Sequence, residues 1–247
     1  MEPKVALKIR NIHKSFGEKV VHRGVSFDLC EGEILGLFGG SGSGKSVILR
    51  SIIGLENPDE GEIIFEGLDL TKLTERQLFE PRTHISYVFQ NGALFDSLTV
   101  EENLAYPLRA HSLLTETEIH EKVTDMLELI DMPKAGQLLP NELSGGMQKR
   151  AGFARSIILE PKIVLFDEPT AGLDPVNTGR LLKNILSFKK RGMTGIFVTH
   201  DIPAAFEICD RVAILNEGKI ALVMSVDEMK KSNHPLVKSF TTGAHIE

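Results

Sequence analysis

Apolar residues follow two rhythms along this chain, and the switch between them divides it. Short runs rich in Val, Ile, Leu and Phe occur at residues 5–9, 26–29, 34–38, 62–65, 85–89, 163–166, 195–199 and 212–215. In several, such as Ile34 to Phe38 and Ile163 to Phe166, nearly every position is apolar. A strand of that kind suits burial on both faces, which predicts a parallel sheet with helices on either side. The segments around Val5, Val25 and Gly61 to Gly67 are more polar and closely spaced, and predict an antiparallel flank. From about Gln90 to Pro161 the strand pattern disappears. Ile119, Val123, Met126, Leu127 and Ile130 recur there with a 3.6-residue period, and Met147, Ala151, Ala154 and Ile158 form a second helical face. The expectation is a single α/β domain over residues 1–247. Its core spans about 1–89 and 161–247 and includes the antiparallel β flank, and a helical subdomain is inserted at about 90–160.

Composition narrows what such a fold can bind. Of the 247 residues 42% are apolar and 25% charged, the balance of a globular protein, and 28 Lys and Arg against 34 Asp and Glu leave a net charge of −6. No global positive field exists to collect nucleic acid, so none is expected as a partner, and any bound anion must be held by local geometry. No uncharged stretch approaches the roughly 18 apolar residues of a bilayer span, and Met1-Glu2-Pro3-Lys4 does not open a signal peptide. The expected location is therefore cytoplasmic. Cys30 and Cys209 lie far apart without CxxC spacing and read as small apolar residues.

A local anion site does follow the third apolar run. Gly39-Gly40-Ser41-Gly42-Ser43-Gly44-Lys45-Ser46 is a Walker A loop, preceded by a strand-like run and followed by the helix-like Val47-Ile48-Leu49. Its glycines let successive backbone N–H groups wrap a phosphate. Lys45 reaches the terminal phosphates, Ser46 offers a hydroxyl to Mg²⁺, and the new helix points its positive end at the anion. The core is thus expected to be that of a P-loop NTPase. The run Ile163 to Phe166 ends in Asp167-Glu168, two carboxylates at the C-terminal edge of a buried strand, where ligands of open α/β sheets sit. Asp167 suits Mg²⁺, and Glu168 can polarise an attacking water.

Leu143-Ser144-Gly145-Gly146-Met147-Gln148, 23 residues before Asp167 when counted from Ser144, matches the signature motif of the ATP-binding subunits of ABC transporters. The chain resembles that family from about Lys8 to Gly243. The resemblance implies ATP and Mg²⁺ as cofactors, Gln90 as the Q-loop glutamine and a further magnesium contact, and His200 as the switch histidine at the γ-phosphate. It also implies a D-loop at Ala171-Gly172-Leu173-Asp174, with Asp174 linking the sites of a dimer, and Phe16 stacked on adenine. Ser144, Gly145 and Gly146 open an amphipathic helix and so form a second phosphate-binding helix start. In the family this start meets the P-loop of a second copy across an ATP sandwich. Gly40 replaces a common proline, Val47 a common Ser or Thr that meets the α-phosphate, and Met147 a common glutamine.

Within the family, Gln90-Asn91-Gly92-Ala93-Leu94-Phe95-Asp96, followed by Asn103 to Arg109, looks like the ATPases of Mce-type, or Mla, lipid transporters. That resemblance implies phospholipid transport between membranes of a bacterial envelope. It also implies an integral-membrane permease and an Mce-domain protein as partners, with the ATPase peripheral on the cytoplasmic face of the inner membrane. The chain ends about twenty residues beyond the last apolar run, Ile220 to Val226, so no C-terminal regulatory domain is expected. A small-solute transporter ATPase is the alternative, followed by a soluble ABC protein acting on DNA or ribosomes, or a regulator without turnover. Ala93, Leu94 and Phe95 place apolar side chains where a polar loop is normal, and need either the core or a permease helix to cover them.

Overall fold

The computed structural model describes residues 4–242, so Met1 to Pro3 and Gly243 to Glu247 lie outside the described residues. It contains two sheets. Strands β1 (Val5–Phe16), β2 (Lys19–Cys30), β4 (Glu60–Phe65) and β5 (Leu68–Asp69) form an antiparallel sheet in the order β2-β1-β4-β5. Strands β3 (Ile34–Gly39), β6 (Ile85–Val88), β7 (Ile163–Asp167), β8 (Thr194–Val198), β9 (Arg211–Asn216) and β10 (Lys219–Ser225) form the second, in the order β10-β9-β3-β8-β7-β6. All its pairings are parallel except that of the edge strand β10 with β9. This is the mostly parallel core with an antiparallel flank that the two apolar rhythms predict.

The unbroken apolar runs of β3, β7 and β8 have a direct cause. Leu35, Leu37, Ile163, Leu165, Ile196 and Val198 join a core shared with the antiparallel sheet and helix α1 (Lys45–Ile52). Their alternates, Ile34, Phe38, Val164, Phe166 and Phe197, join a second core on the opposite face, under the helices. Successive side chains of a strand point to opposite faces, so a sheet with a core on each side needs an apolar residue at every position.

The flank strands are much longer than their apolar runs suggest. β1 continues past Ile9 because its register shifts between Ile9 and Ile12, with Asn11 at φ 50°. The bulge moves the buried positions from Leu7 and Ile9 to Ile12 and Lys14, and a strict two-residue alternation loses the strand there. β2 likewise begins at Lys19 rather than Ser26, and Ile220 to Ser225, read only as an apolar run, pairs as β10.

Helices α2 (Phe79–His84), α3 (Val100–His111), α4 (Glu116–Leu129) and α5 (Gly145–Ile157) precede β7; α3 to α5 make up the predicted helical stretch. Capping boxes start two of them: Thr99 with Glu102 for α3, and Thr115 with Glu118 for α4. α4 buries Ile119, Val123, Met126 and Leu127, the face given by the period. Helices α6 (Pro175–Lys189), α7 (Ile202–Ile208), α8 (Val226–Lys231) and α9 (Pro235–Thr242) follow among the described residues. Cys30 and Cys209 are buried free thiols.

The loop after β6 is fixed to α5 by close backbone contact. A Cβ on Gly152 would lie 2.5 Å from both Cα and O of Gly92, so the two backbone segments touch where only glycine fits. Arg155 donates to the Ala93 carbonyl at 2.7 Å. The fully buried Asn103 holds the same loop, accepting from Phe95 N at 2.8 Å and donating to the carbonyls of Phe95, Leu98 and Thr99. Gly152→Ala should therefore cost about 1–3 kcal/mol of unfolding free energy by overpacking. Urea titration followed by circular dichroism measures it, and an unchanged midpoint would show that the loop yields to the methyl group.

Candidate active site

Four adjacent strands, in the order β3-β8-β7-β6, deliver the candidate residues to one edge of the sheet. β3 ends at Gly39 and runs into the phosphate loop; β8 is followed by Thr199 and His200; β7 ends at Asp167 and is followed by Glu168; β6 is followed by Phe89 and Gln90. Because these strands are parallel, their C-terminal ends emerge on the same side, where open α/β sheets bind ligands. A cavity of about 940 Å³ lies there. It is lined by Phe16, the loop from Gly42 to Val47, Gln90, Glu168 and His200, together with Ala171 to Leu173.

The loop is held from within. Ser43 N donates to the Gly40 carbonyl at 3.1 Å, and Gly42 and Gly44 take φ values of 71° and 100°, which disfavour a side chain. Lys45 is buried, and its Nζ donates to the carbonyls of Gly39 at 2.8 Å and Gly40 at 3.1 Å. Burial lowers its pKa from the usual lysine value, while the nearby charges of Glu168 and Asp167 oppose that shift. Gly39 lies in the strand and is required sterically, since a Cβ there would approach Ser43 Oγ to 2.6 Å and the Leu215 carbonyl to 2.8 Å. Ser41 is exposed at the tip of the loop.

Ser46 Oγ donates to Asp167 Oδ1 at 2.6 Å. A hydroxyl and a carboxylate are hard oxygen donors, and two such groups beside a phosphate cradle fit Mg²⁺, which takes few protein ligands and completes its shell with phosphate and water. The other Asp167 oxygen accepts from the Tyr87 hydroxyl at 2.7 Å. Tyr87 is buried, and its pKa is strongly raised by that burial and by the carboxylate it faces. It thus stays a neutral donor that fixes the orientation of Asp167. Sequence reasoning missed it, although a tyrosine inside the apolar strand Ile85 to Val88 was a visible signal, because a buried hydroxyl needs a partner.

Glu168 has φ 51°, and both of its oxygens face His200. Oε1 lies 3.2 Å from His200 Nε2, and Oε2 accepts from His200 N at 3.2 Å. Lys45 Nζ is 3.5 Å from the same Nε2. A carboxylate only accepts and an ammonium only donates, so one imidazole nitrogen cannot hydrogen-bond both. The Lys45 contact is the hydrogen bond of the two, so Nε2 accepts from Lys45, and Glu168 Oε1 lies at ion-pair distance from it. Phe16 is half-exposed at the end of β1, with Lys14 Nζ 4.9 Å from its ring centroid, and presents a face to the cavity.

Ser144, Gly145, Gly146 and Asp174 do not line this cavity. Ser144 caps α5, accepting from Met147 N, and a Cβ on Gly146 would lie 2.5 Å from Asn177 Cγ. Asp174 caps α6, accepting from Val176 N and Asn177 N and, at 2.5 Å, from Asn177 Nδ2. These bonds, those from Asn177 foremost, lower its pKa below the usual carboxylate value. Lys149 of α5 donates to the Ala171 carbonyl, so the signature helix is tied to the D-loop within one chain.

This fold and this edge define a P-loop ATPase with a helical subdomain. The profile of the ABC transporter family matches residues 22–171, more than half of the chain, and the protein belongs to that family. It is 37% identical over 243 residues to the probable ribonucleotide transport ATP-binding protein mkl of Mycobacterium leprae, covering 98% of this chain and 70% of that protein. With the intermembrane phospholipid transport system ATP-binding protein MlaF of Escherichia coli K12 it shares 37% over 246 residues, covering 98% and 91%. The methionine import ATP-binding protein MetN of Carboxydothermus hydrogenoformans is 40% identical over 218 residues, covering 87% and 64%. Among solved structures, a dimeric ATP-binding cassette in a post-hydrolysis state with ADP and Pi superposes with a TM-score of 0.81 at 30% identity, covering 89% of this chain and 98% of that one. A nucleotide-free cassette from an ABC transporter gives 0.83 at 27%, covering 96% and 98%. The chain is an ATP-hydrolysing nucleotide-binding subunit of the ABC transporter type.

Tyr87→Phe removes one of the two donors that fix Asp167. The Mg²⁺ concentration for half-maximal ATPase activity should rise about threefold to tenfold, the effect of about one lost hydrogen bond. An unchanged magnesium dependence would limit Tyr87 to a role in folding.

Proposed function

We propose that the chain drives lipid transport, most simply of phospholipid, between membranes of a bacterial envelope, acting as a dimer that closes around two ATP molecules. The observation that carries the dimer is the separation, within one chain, of two helix starts suited to phosphate. The phosphate loop lines the cavity, while Ser144 to Gly146 open α5 outside it. A second copy would supply the signature end, with Asp174 at the contact between copies; the dimeric cassettes that resemble this chain support that arrangement. In each site Lys45 and the loop N–H groups hold phosphate, Ser46 and Asp167 hold Mg²⁺, Gln90 senses the γ-phosphate, and Phe16 stacks on adenine. Bound Mg²⁺ supplies charge neutralisation at the phosphates. Glu168 accepts the proton of the attacking water, and the His200 imidazole, 3.2 Å from that carboxylate, turns to the γ-phosphate.

The lipid reading draws support from the segment Gln90 to Asp96 and from the near full-length likeness to MlaF. The helical subdomain at about residues 90–160, inserted between core segments 1–89 and 161–247, is its proposed coupling unit. Leu94 packs partly against the core, whereas Phe95 is 44% exposed, with its ring 5.0 Å from that of the exposed Tyr106 and beneath Arg155. Of the two side chains, Phe95 is the one that meets the permease. No helix among the described residues is long and apolar enough to cross a membrane. Attachment to the cytoplasmic face of the inner membrane would run through that permease.

Glu168→Gln should keep ATP binding and lose about 10²- to 10⁴-fold in turnover, the range of a positioned base. Near-normal hydrolysis in a coupled phosphate-release assay would remove Glu168 from that role. Affinity purification from native membranes with mass spectrometry should recover a permease with an Mce-domain protein. A solute-binding protein in their place would favour a small-solute transporter, the reading that the likeness to MetN supports. Phe95→Glu should deplete the permease from the same purification while ATP affinity and thermal stability hold, and full recovery would exclude Phe95 from the contact.

A further inference from the structure

Beneath the phosphate loop lies a histidine that none of the proposed steps uses. His22 of β2 is fully buried, and its Nε2 lies 3.1 Å from the Gly44 carbonyl oxygen. A carbonyl oxygen can only accept, so the ring carries its proton on Nε2 and donates it. Nδ1 is buried and has no hydrogen-bond partner among the described residues. Burial also pushes the imidazole pKa below its ordinary value, which keeps the ring neutral. An aliphatic side chain at this position would avoid the desolvation of Nδ1, so the bond to Gly44 is the one interaction here that offsets that cost.

The carbonyl concerned belongs to the peptide that joins Gly44 to Lys45. It also accepts from Ile48 N at 3.1 Å, the first helical bond of α1. In a trans peptide the C=O and N–H point in opposite directions, so two donors fixing the oxygen also fix the Lys45 N–H. That N–H is one of the free donors at the helix start and faces out of α1, toward the side on which the loop from Gly42 to Val47 lines the cavity. Contact between ring and loop is close. A Cβ on Gly44 would stand 2.6 Å from His22 Nε2 and 2.4 Å from Val21 Cγ1.

We infer that His22 is a positioning residue of the phosphate site: by donating to the Gly44 carbonyl from below, it aims the Lys45 amide at the bound phosphate. This rests on the assignment of the loop as the phosphate site and adds to it a residue from the antiparallel flank. His22→Phe keeps an aromatic ring without the donor, and His22→Gln keeps a donor near the Nε2 position. Calorimetry with MgADP should show about threefold to tenfold weaker binding for the Phe variant, with affinity largely restored in the Gln variant. KM for ATP should rise in proportion to that loss, with kcat within about twofold of the parent. MgADP affinity equal to the parent in His22→Phe, or equally weak binding in both variants, would overturn the inference. Should either variant fail to fold, nitrogen-15 NMR of the histidines in the parent protein decides: a proton on Nε2 supports the bond, and one on Nδ1 excludes it. Lys45→Ala separates the two levels, because MgADP affinity unchanged in that variant would overturn the phosphate-loop assignment itself.

Discussion

Strands β3, β8 and β7 pair in parallel, Leu37 beside Val198 and Val198 beside Asp167, and the chemistry of the molecule hangs on that register. It brings three chain segments out of one sheet edge within a few ångströms of each other. Lys45 follows the first, His200 the second, Asp167 and Glu168 the third. A slip of one residue in β7 would turn Asp167 to the other face and break its bonds to Ser46 and Tyr87. Such a slip would also exchange the two apolar faces of the strand, and the cores on both sides resist it.

Close to that edge, opposite charges are held apart by backbone rather than paired. Lys45 spends its donors on the Gly39 and Gly40 carbonyls and on His200 Nε2, and Asp167 accepts from two hydroxyls. Among the described residues, neither group is in an ion pair. The arrangement leaves a buried cation for the proposed phosphate and a fixed carboxylate for the proposed magnesium, in a chain whose net charge is −6. An anion therefore has to find this loop by local geometry, as the overall charge balance requires.

Helix α5 joins what the sequence presents as separate motifs. Its first turn is the signature, its Lys149 reaches the D-loop carbonyl of Ala171, and its Gly152 and Arg155 hold the loop after Gln90. A displacement of that loop is then passed to a rigid element, since Gly92 and Gly152 are in contact with no side chain between them to absorb it.

The sequence by itself determined the parts whose cause is local. Apolar runs without interruption required a sheet buried on both faces, and the 3.6-residue period from Ile119 to Ile130 located α4. The glycines, Lys45 and Ser46 required a phosphate loop, because backbone conformation and helix starts depend on neighbours in sequence. What hinged on long-range contact was decided only by the tertiary structure. The bulge at Asn11 and the length of β1 and β2 depend on cross-strand pairing, which period alone does not report. Leu94 and Phe95 looked alike in the chain, but packing buried one in part and exposed the other. Tyr87 sat in the apolar run at 85–89, and His22 between Val21 and Arg23 in no such run; their partners, Asp167 and Gly44, are 80 and 22 residues away. A buried hydrogen bond is required by its donor wherever the donor lies, but which acceptor meets it is fixed by how the strands and helices pack.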